Sequence, residues 1–379
     1  MSPRIIPMHK PHIGHDDEEM VLNAMKKGDL SGDGFYGKLL KGELKNILGV
    51  SCALPTPSCT GALELSLMAL GVGPGDEVIM PSFAFVSAAT AILRQGAKPV
   101  FVDIDELTYN LDTARLEQAI TQKTKAVIVV HYAGGSCDMD RLTEIARKHN
   151  VKIIEDAAHA IGAKYKNKFL GTIGDAGCFS FHGTKNLAIG EGGAFVTNDA
   201  EMAARAEIIR EKGTNRSAFF KGEVAKYEWV GEGSSFLLAD ILSAMLISQL
   251  KKIAEINQKR KEIAEFYLKN LASVGQKIIL PKVLPGVESS WHIFSILVQS
   301  EKRVAFIDFL KNKGIMAAFH FVPLHLSPMG RAAGSFSGDM RVTEKVSASL
   351  VRLPIYPGLT EEEKKYIVEV VIMTTNTIL

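Results

Sequence analysis

Between residues 76 and 160 the chain alternates short continuous apolar runs with amphipathic stretches. Glu77-Val-Ile-Met80, Lys98-Pro-Val-Phe-Val-Asp103, Lys125-Ala-Val-Ile-Val-Val130 and Val151-Lys-Ile-Ile-Glu155 read as buried strands. Helical periodicity over 84–94, 112–120 and Met139–His149 separates them, with Asn150 placed to end the last helix. This alternation predicts an α/β fold with a mainly parallel sheet between helices, whose ligands bind at the carboxyl ends of the strands.

Upstream, residues 15–28 predict an amphipathic helix with Asp16, Asp17, Glu18 and Glu19 in its first turn, where the macrodipole favours acids. A glycine-rich loop (30–37), a helix (38–47) and a β-like run (51–54) follow. The small-residue turn Pro55-Thr-Pro-Ser-Cys-Thr-Gly-Ala-Leu63 then feeds a helix ending near Gly71. Downstream, apolar runs Cys178–Phe181 and Ala194–Thr197 flank a glycine-rich loop, and a helix spans 199–212. Residues 213–222 read as a polar, aromatic loop. A long helical stretch with room for one break runs from about Leu237 to Ala272. Strand (292–298), helix (302–312), strand (315–321) and helices near 343–350 and 360–376 then predict a smaller α+β domain. The expected division is a large domain over 1–250 and a small C-terminal domain over 251–379.

Composition narrows the function classes. With 46% hydrophobic residues and 23% charge, the 379 residues describe a globular protein with a sizeable core. A net charge of +2 with no polybasic block implies neither a nucleic-acid nor an anionic-membrane partner. Cys52, Cys59, Cys137 and Cys178 form no C-x-x-C pair and no zinc spacing, so no metal site and reduced thiols are expected. No apolar signal core follows Met1-Ser-Pro-Arg4, and no run of about 18 apolar residues could span a bilayer, so a cytoplasmic location is expected.

Candidate chemistry centres on Lys185, between the runs Cys178–Phe181 and Ala194–Thr197. A lysine there can snorkel from a strand end; desolvated, its neutral amine can form a Schiff base. Asp156 ends a strand 29 residues earlier, Ser180 lies on the strand leading to Lys185, and Thr60 and Gly61 open a helix. The Thr60 turn reads as a helix cap or, with its open N–H groups, as a phosphate cradle. Each residue alone has an ordinary structural explanation. Together they form the set that pyridoxal phosphate (PLP) requires: an amine, a carboxylate for its ring nitrogen, and donors for its phosphate.

The motifs Pro81-Ser-Phe-Ala-Phe-Val-Ser87, Phe101-Val-Asp103, Val130-His-Tyr-Ala-Gly134 and Ile154-Glu-Asp-Ala-Ala-His159 closely resemble those of the DegT–DnrJ class of PLP-dependent nucleotide-sugar aminotransferases. So do Phe179-Ser-Phe-His-Gly-Thr-Lys-Asn186, Gly190-Glu-Gly-Gly193 and Leu353-Pro-Ile-Tyr-Pro-Gly358. The resemblance runs from about residue 5 to 375 and implies the fold-type I aminotransferase architecture. Within the class, Glu211-Lys-Gly-Thr-Asn-Arg-Ser217 and Gly222-Glu-Val-Ala-Lys-Tyr-Glu-Trp229 look like the WecE type. That type moves an amino group from L-glutamate to dTDP-4-keto-6-deoxy-D-glucose, giving dTDP-4-amino-4,6-dideoxy-D-galactose and 2-oxoglutarate. Amination at C3, or at C4 with gluco stereochemistry, is the alternative within the class. The class's dehydratase branch carries histidine in place of Lys185.

By motif position, the resemblance implies Lys185 as the catalytic residue that holds PLP covalently and shuttles the proton. Asp156 pairs with the ring nitrogen, Phe85 stacks on the ring, and His159 lies near the phenolic oxygen. Thr60, the Gly61 N–H and Ser180 hold the phosphate. Ser235, in Gly233-Ser-Ser-Phe236, takes the place where many relatives reach the neighbouring subunit's phosphate with an asparagine. A homodimer with shared active sites is therefore implied. Arg216, Lys221 and His320 are the candidate substrate contacts. Gly183 stands where relatives carry a bulkier residue or proline, and with Gly190, Gly192 and Gly193 it predicts unusual backbone freedom around Lys185.

Overall fold

The apolar runs assemble as their alternation predicts. The computed structural model describes residues 5–379, so the Met1–Arg4 start, read above for a signal core, lies outside the described residues. The strands, in order, are β1 (Cys52–Thr56), β2 (Glu77–Pro81), β3 (Lys98–Val102), β4 (Thr124–Val130) and β5 (Lys152–Asp156). They continue as β6 (Lys164–Tyr165), β7 (Lys168–Phe169), β8 (Ala176–Ser180), β9 (Gly193–Thr197), β10 (Val287–Glu288), β11 (Phe294–Leu297), β12 (Ser335–Phe336) and β13 (Leu350–Leu353). Eight of them form one sheet in the order β1-β9-β8-β5-β4-β2-β3-β12. Only β9 runs against its neighbours; the other pairings are parallel.

Both sheet faces are covered. Along β4, Val127 and Val129 enter one core cluster, and Ala126, Ile128 and Val130 enter the other. That two-residue period explains why the strand is apolar throughout. The first cluster packs under α1 (His15–Lys27), α2 (Phe35–Leu48), α5 (Thr113–Ala119), α6 (Met139–His149) and α9 (Asp240–Lys251). The second packs under α3 (Cys59–Ala69), α4 (Val86–Arg94) and α7 (Ala200–Arg210).

The long helical stretch divides at one residue, Lys252, into α9 and α10 (Ile253–Leu271). Lys252 Nζ reaches Asp16 and Asp17 of α1, each at 2.6 Å. Helix α10 gives Ile256 to the first cluster and Ile263, Tyr267 and Leu271 to another. That further cluster also holds Phe294, Phe306, Ile315, Val351, Ile367 and, from the start of the chain, Ile6.

Several elements differ from the sequence reading. Residues 315–321 form no strand: Ile315 bridges Ile6 and Ala318 bridges Arg352, after which the chain turns away as His320 and Phe321. The partner of β11 is instead β13, with Phe294 opposite Leu353. Residues 213–222 include a short helix, α8 (Arg216–Phe220), and β12 adds a late edge strand to the large sheet. These segments are too short for periodicity to reveal.

At the end of β5, Glu155 is fully buried and fully employed. Its Oε2 meets His131 Nε2 and the Gly171 N–H, both at 2.7 Å; its Oε1 accepts from the Ile173 and Gly174 N–H groups, both at 2.6 Å. Glu155→Ala leaves these donors unpaired and is expected to cost about 3 kcal/mol. Urea unfolding measures this, and a loss below about 1 kcal/mol would contradict the assignment.

Candidate active site

The carboxyl ends of β4, β5 and β8 open on a cavity of ≈ 410 Å³ that Lys185, Asp156, Thr60, Phe85, His159, Ser180 and His320 all line. Lys185 lies in the reversal between β8 and β9. There the Phe181 N–H donates to the Gly192 carbonyl and the Gly183 N–H to the Gly190 carbonyl, both at 2.8 Å. The turn's need for glycine falls on Gly190, at φ 93°, and on Gly193, where a Cβ would come within 2.3 Å of the Ser58 backbone. Gly183 is different: its φ is ordinary and a Cβ would meet only the Gly190 carbonyl oxygen, at 3.8 Å. The expectation of special freedom at Gly183 is therefore corrected.

Among the described residues, the Lys185 amine has no hydrogen-bond or ion-pair partner. Burial pushes its pKa below the usual lysine value; Cys59 and Asp156 oppose this and the Arg352 charge adds to it. Asp156 is 8% exposed, and its Oδ1 accepts the Ala158 N–H at 3.1 Å with Cys59 Sγ at 3.8 Å. Its Oδ2 has no hydrogen-bond partner among the described residues, and burial raises its pKa. Such a carboxylate is stabilised by any positively charged N–H brought into the cavity.

Hydroxyls gather where α3 begins. Thr60 Oγ1 and Ser87 Oγ share a hydrogen bond of 2.8 Å, and Ser180, 7% exposed, stands across from them at the end of β8. The Gly61 N–H, expected to serve a phosphate, donates instead to the N-cap Ser58 Oγ at 3.1 Å, and Gly61 backs onto Phe236. Here the cap takes this donor. Phe85, 60% exposed, stands at the rim with its ring centroid 6.3 Å from that of Phe321.

His320 is an orienting group. Its Nε2 accepts from Arg352 Nη1 at 2.9 Å, its Nδ1 lies 3.3 Å from the Tyr132 hydroxyl, and its ring stacks on Phe321 at 3.9 Å. Burial and the Arg352 charge lower its pKa to about 2, so it is neutral. Arg352 in turn has no carboxylate within ion-pair distance among the described residues, and its Nε is buried without a partner. Sequence reasoning missed Arg352, although it directly precedes the Leu353-Pro-Ile-Tyr-Pro-Gly358 motif. It also missed Ser87, His9 and His292, which line the cavity.

Three expected residues lie outside this cavity. Arg216 pairs with Glu211 at 3.0 Å and Lys221 with Glu207 at 3.2 Å, around a separate polar hollow of ≈ 520 Å³. Ser235 is exposed, and its backbone bridges that of Glu211. The expected substrate and phosphate contacts of these three are thus not made within one subunit.

A sequence profile, that of the DegT/DnrJ/EryC1/StrS aminotransferase family, matches residues 11–372. The chain belongs to this family. It is 35% identical over 379 residues to the spore coat polysaccharide biosynthesis protein SpsC of Bacillus subtilis, covering 97% of this chain and 96% of that one. The aminotransferase TlmJ of Streptoalloteichus hindustanus superposes with a TM-score of 0.92 at 30% identity, over 99% of this chain and 100% of its own. The putative sugar aminotransferase Spr1654 of Streptococcus pneumoniae, in its PLP form, gives 0.91 at 30% identity over the same shares. A PMP form of that protein superposes equally well, covering 99% of this chain and 98% of that one.

The protein is a sugar aminotransferase with the fold of PLP-dependent enzymes, and PLP is its cofactor. The cavity's residues fit that cofactor. Lys185 offers an unpartnered amine, Asp156 a spare carboxylate oxygen, and Thr60, Ser87 and Ser180 a set of hydroxyls. No helix of the described residues is long and apolar enough to cross a membrane.

The amine reacts only when unprotonated, so capture of added PLP by the cofactor-free protein should rise with pH through the Lys185 pKa. Its midpoint is expected below the ~10.4 of a free lysine. Arg352→Met removes a neighbouring positive charge and should move that midpoint up. Stopped-flow absorbance measures it, and an unmoved or lowered midpoint would remove Arg352 from the electrostatics of Lys185.

Proposed function

We propose that the enzyme transfers the amino group of L-glutamate to dTDP-4-keto-6-deoxy-D-glucose, forming dTDP-4-amino-4,6-dideoxy-D-galactose and 2-oxoglutarate in the cytoplasm. The observation that carries the transfer is the pairing of Lys185 and Arg352 in one cavity, each without a carboxylate partner. The first suits proton transfer and the second suits an amino acid's carboxylate. The nucleotide sugar rests on the resemblance of 211–217 and 222–229 to the WecE type, and the polysaccharide role named for SpsC supports a sugar acceptor.

PLP, when bound, supplies an electron sink for the pair left behind when a Cα proton departs. The chain does the rest. Arg352, aimed by His320, holds the donor carboxylate. Lys185 Nζ takes the Cα proton of glutamate and, in the second half-reaction, delivers a proton to C4 of the sugar. Asp156 keeps the ring nitrogen protonated, which makes the sink effective. Thr60, Ser87 and Ser180 take the phosphate, and Phe85 covers the ring face.

A homodimer completes the site in this reading. Arg216 and Lys221 line the separate hollow with the exposed Phe220, and Ser235 is exposed outside the cavity. They serve the cavity of a second copy.

Sequential use of one site predicts parallel initial-rate lines; intersecting lines exclude the scheme. Lys185→Ala should lose both activity and the visible absorbance of bound cofactor. Arg352→Met should raise KM for glutamate roughly 10- to 100-fold, the worth of a charged hydrogen bond, with a smaller effect on KM for the sugar. Incubation with glutamate and dTDP-, UDP- and GDP-keto-sugars, followed by NMR of the amino-sugar, tests the substrate. Nitrogen at C3, or a gluco configuration at C4, would overturn the assignment.

A further inference from the structure

Asn186 follows Lys185 directly and is 4% exposed, yet nothing assigned so far uses it. Its Nδ2 donates to Asn257 Oδ1 in α10 and to the Ser290 carbonyl, both at 3.0 Å. Its Oδ1 lies 2.9 Å from His292 Nδ1. An amide oxygen only accepts, so His292 Nδ1 carries the proton. The His292 ring packs on that of His159 with centroids 4.4 Å apart and planes inclined by 35°.

A single residue in the left-handed region holds both histidines. Ala133, at φ 60°, donates its N–H to His159 Nδ1 at 3.3 Å and accepts the His292 N–H on its carbonyl at 3.0 Å. The first bond makes Nδ1 of His159 the bare nitrogen and leaves its proton on Nε2, which has no partner among the described residues. Trp291, beside His292, is also in the left-handed region at φ 47°. Arg260 donates to the carbonyls of Trp291 and His292 at 3.3 Å and of Ile355 at 3.1 Å. Two non-glycine residues in that region persist only where their surroundings over-determine them, and such strain gathers at functional sites.

We propose that Asn186 is a positioning residue: through His292 it fixes the ring that packs on His159 and so holds His159 with its Nε2–H turned toward the cofactor. The lysine loop and the histidine beside the cofactor's phenolic oxygen then form one unit, tied to α10 through Asn257. The charged and titratable groups around the two rings, among the described residues, include Lys185, Arg352 and His320, with Tyr132 edge-on to His159 at 5.9 Å, Arg260 behind His292 and Asp156 at the end of β5. Burial, with the cations among them, pushes both histidine pKa values well below the usual range. Both rings are therefore neutral, and the tautomer is the property left to be set.

The proposal rests on the placement of His159 beside the cofactor ring, and its test separates the two. Histidine-15N NMR of the protein without PLP should show His292 as Nδ1–H and His159 as Nε2–H, and Asn186→Ala should lose the His292 preference. With PLP bound, Asn186→Ala should keep the visible band but shift its pH midpoint by about one unit, the size of one net hydrogen bond. His292→Phe, which keeps a ring against His159 without nitrogens, should shift it in the same direction, and it decides alone if Asn186→Ala loses its circular-dichroism signature. Unmoved midpoints overturn the proposal, as does an Nε2–H form of His292 in the native protein. The expected tautomers with a His159→Phe band that titrates like the native one would instead sink the placement of His159 beside the cofactor.

Discussion

The site depends on positive charge taken out of water without its usual partner. Lys185 and Arg352 share a cavity, and Arg260 lies fully enclosed behind it, with burial lowering all three pKa values, that of Arg260 to about 9. Proteins ordinarily answer a buried cation with a carboxylate, because desolvating a lone ion is costly. Here Arg260 is answered by three backbone carbonyls and Arg352 by the neutral ring of His320. The arrangement leaves Lys185 and Arg352 in the cavity without ion pairs of their own, open to a ligand that carries a phosphate or a carboxylate.

That imbalance is a product of the fold. Parallel strands end together at one edge of the sheet, and β5 and β8 deliver Asp156 there and, two residues beyond its register partner Cys178, Ser180. The start of α3 faces them because β9 doubles back to pair with β1, with Gly193 passing against Ser58. The opposite wall comes from far along the sequence, through His292, His320 and Arg352. One sheet edge thus offers a carboxylate and a hydroxyl, while β13 and the segment before β11 bring Arg352 and His292.

How much of this the sequence disclosed follows from the physics of each part. Continuous apolar strands and regular helices were legible because burial on two faces writes itself into composition. Asp156 and Ser180 were legible because each ends a strand that periodicity locates, and Lys185 because it lies in the loop between two such strands. Arg352 was not, since a cation inside the short strand β13 looks like an ordinary edge residue until His320 is seen beside it. The Gly61 N–H was ambiguous because a cap and a phosphate cradle share one signature, and only the structure shows that Ser58 Oγ accepts from it. Arg216 and Lys221 were picked from motifs alone, and motifs do not show that each pairs with a glutamate outside the cavity.

The dipeptide Glu155-Asp156 shows the same limit at its sharpest. Two adjacent carboxylates on one strand point to opposite faces, as the pleat requires. Glu155 meets three backbone N–H groups and His131, and both of its oxygens are satisfied. Asp156 receives one backbone N–H on one oxygen and keeps the other for the cavity. Chemically alike and one residue apart, the first anchors the turn after β7 and the second stays open to the cavity. What separates structure from function here is neither the residue type nor its burial, but whether the surrounding backbone has already met its demand for protons.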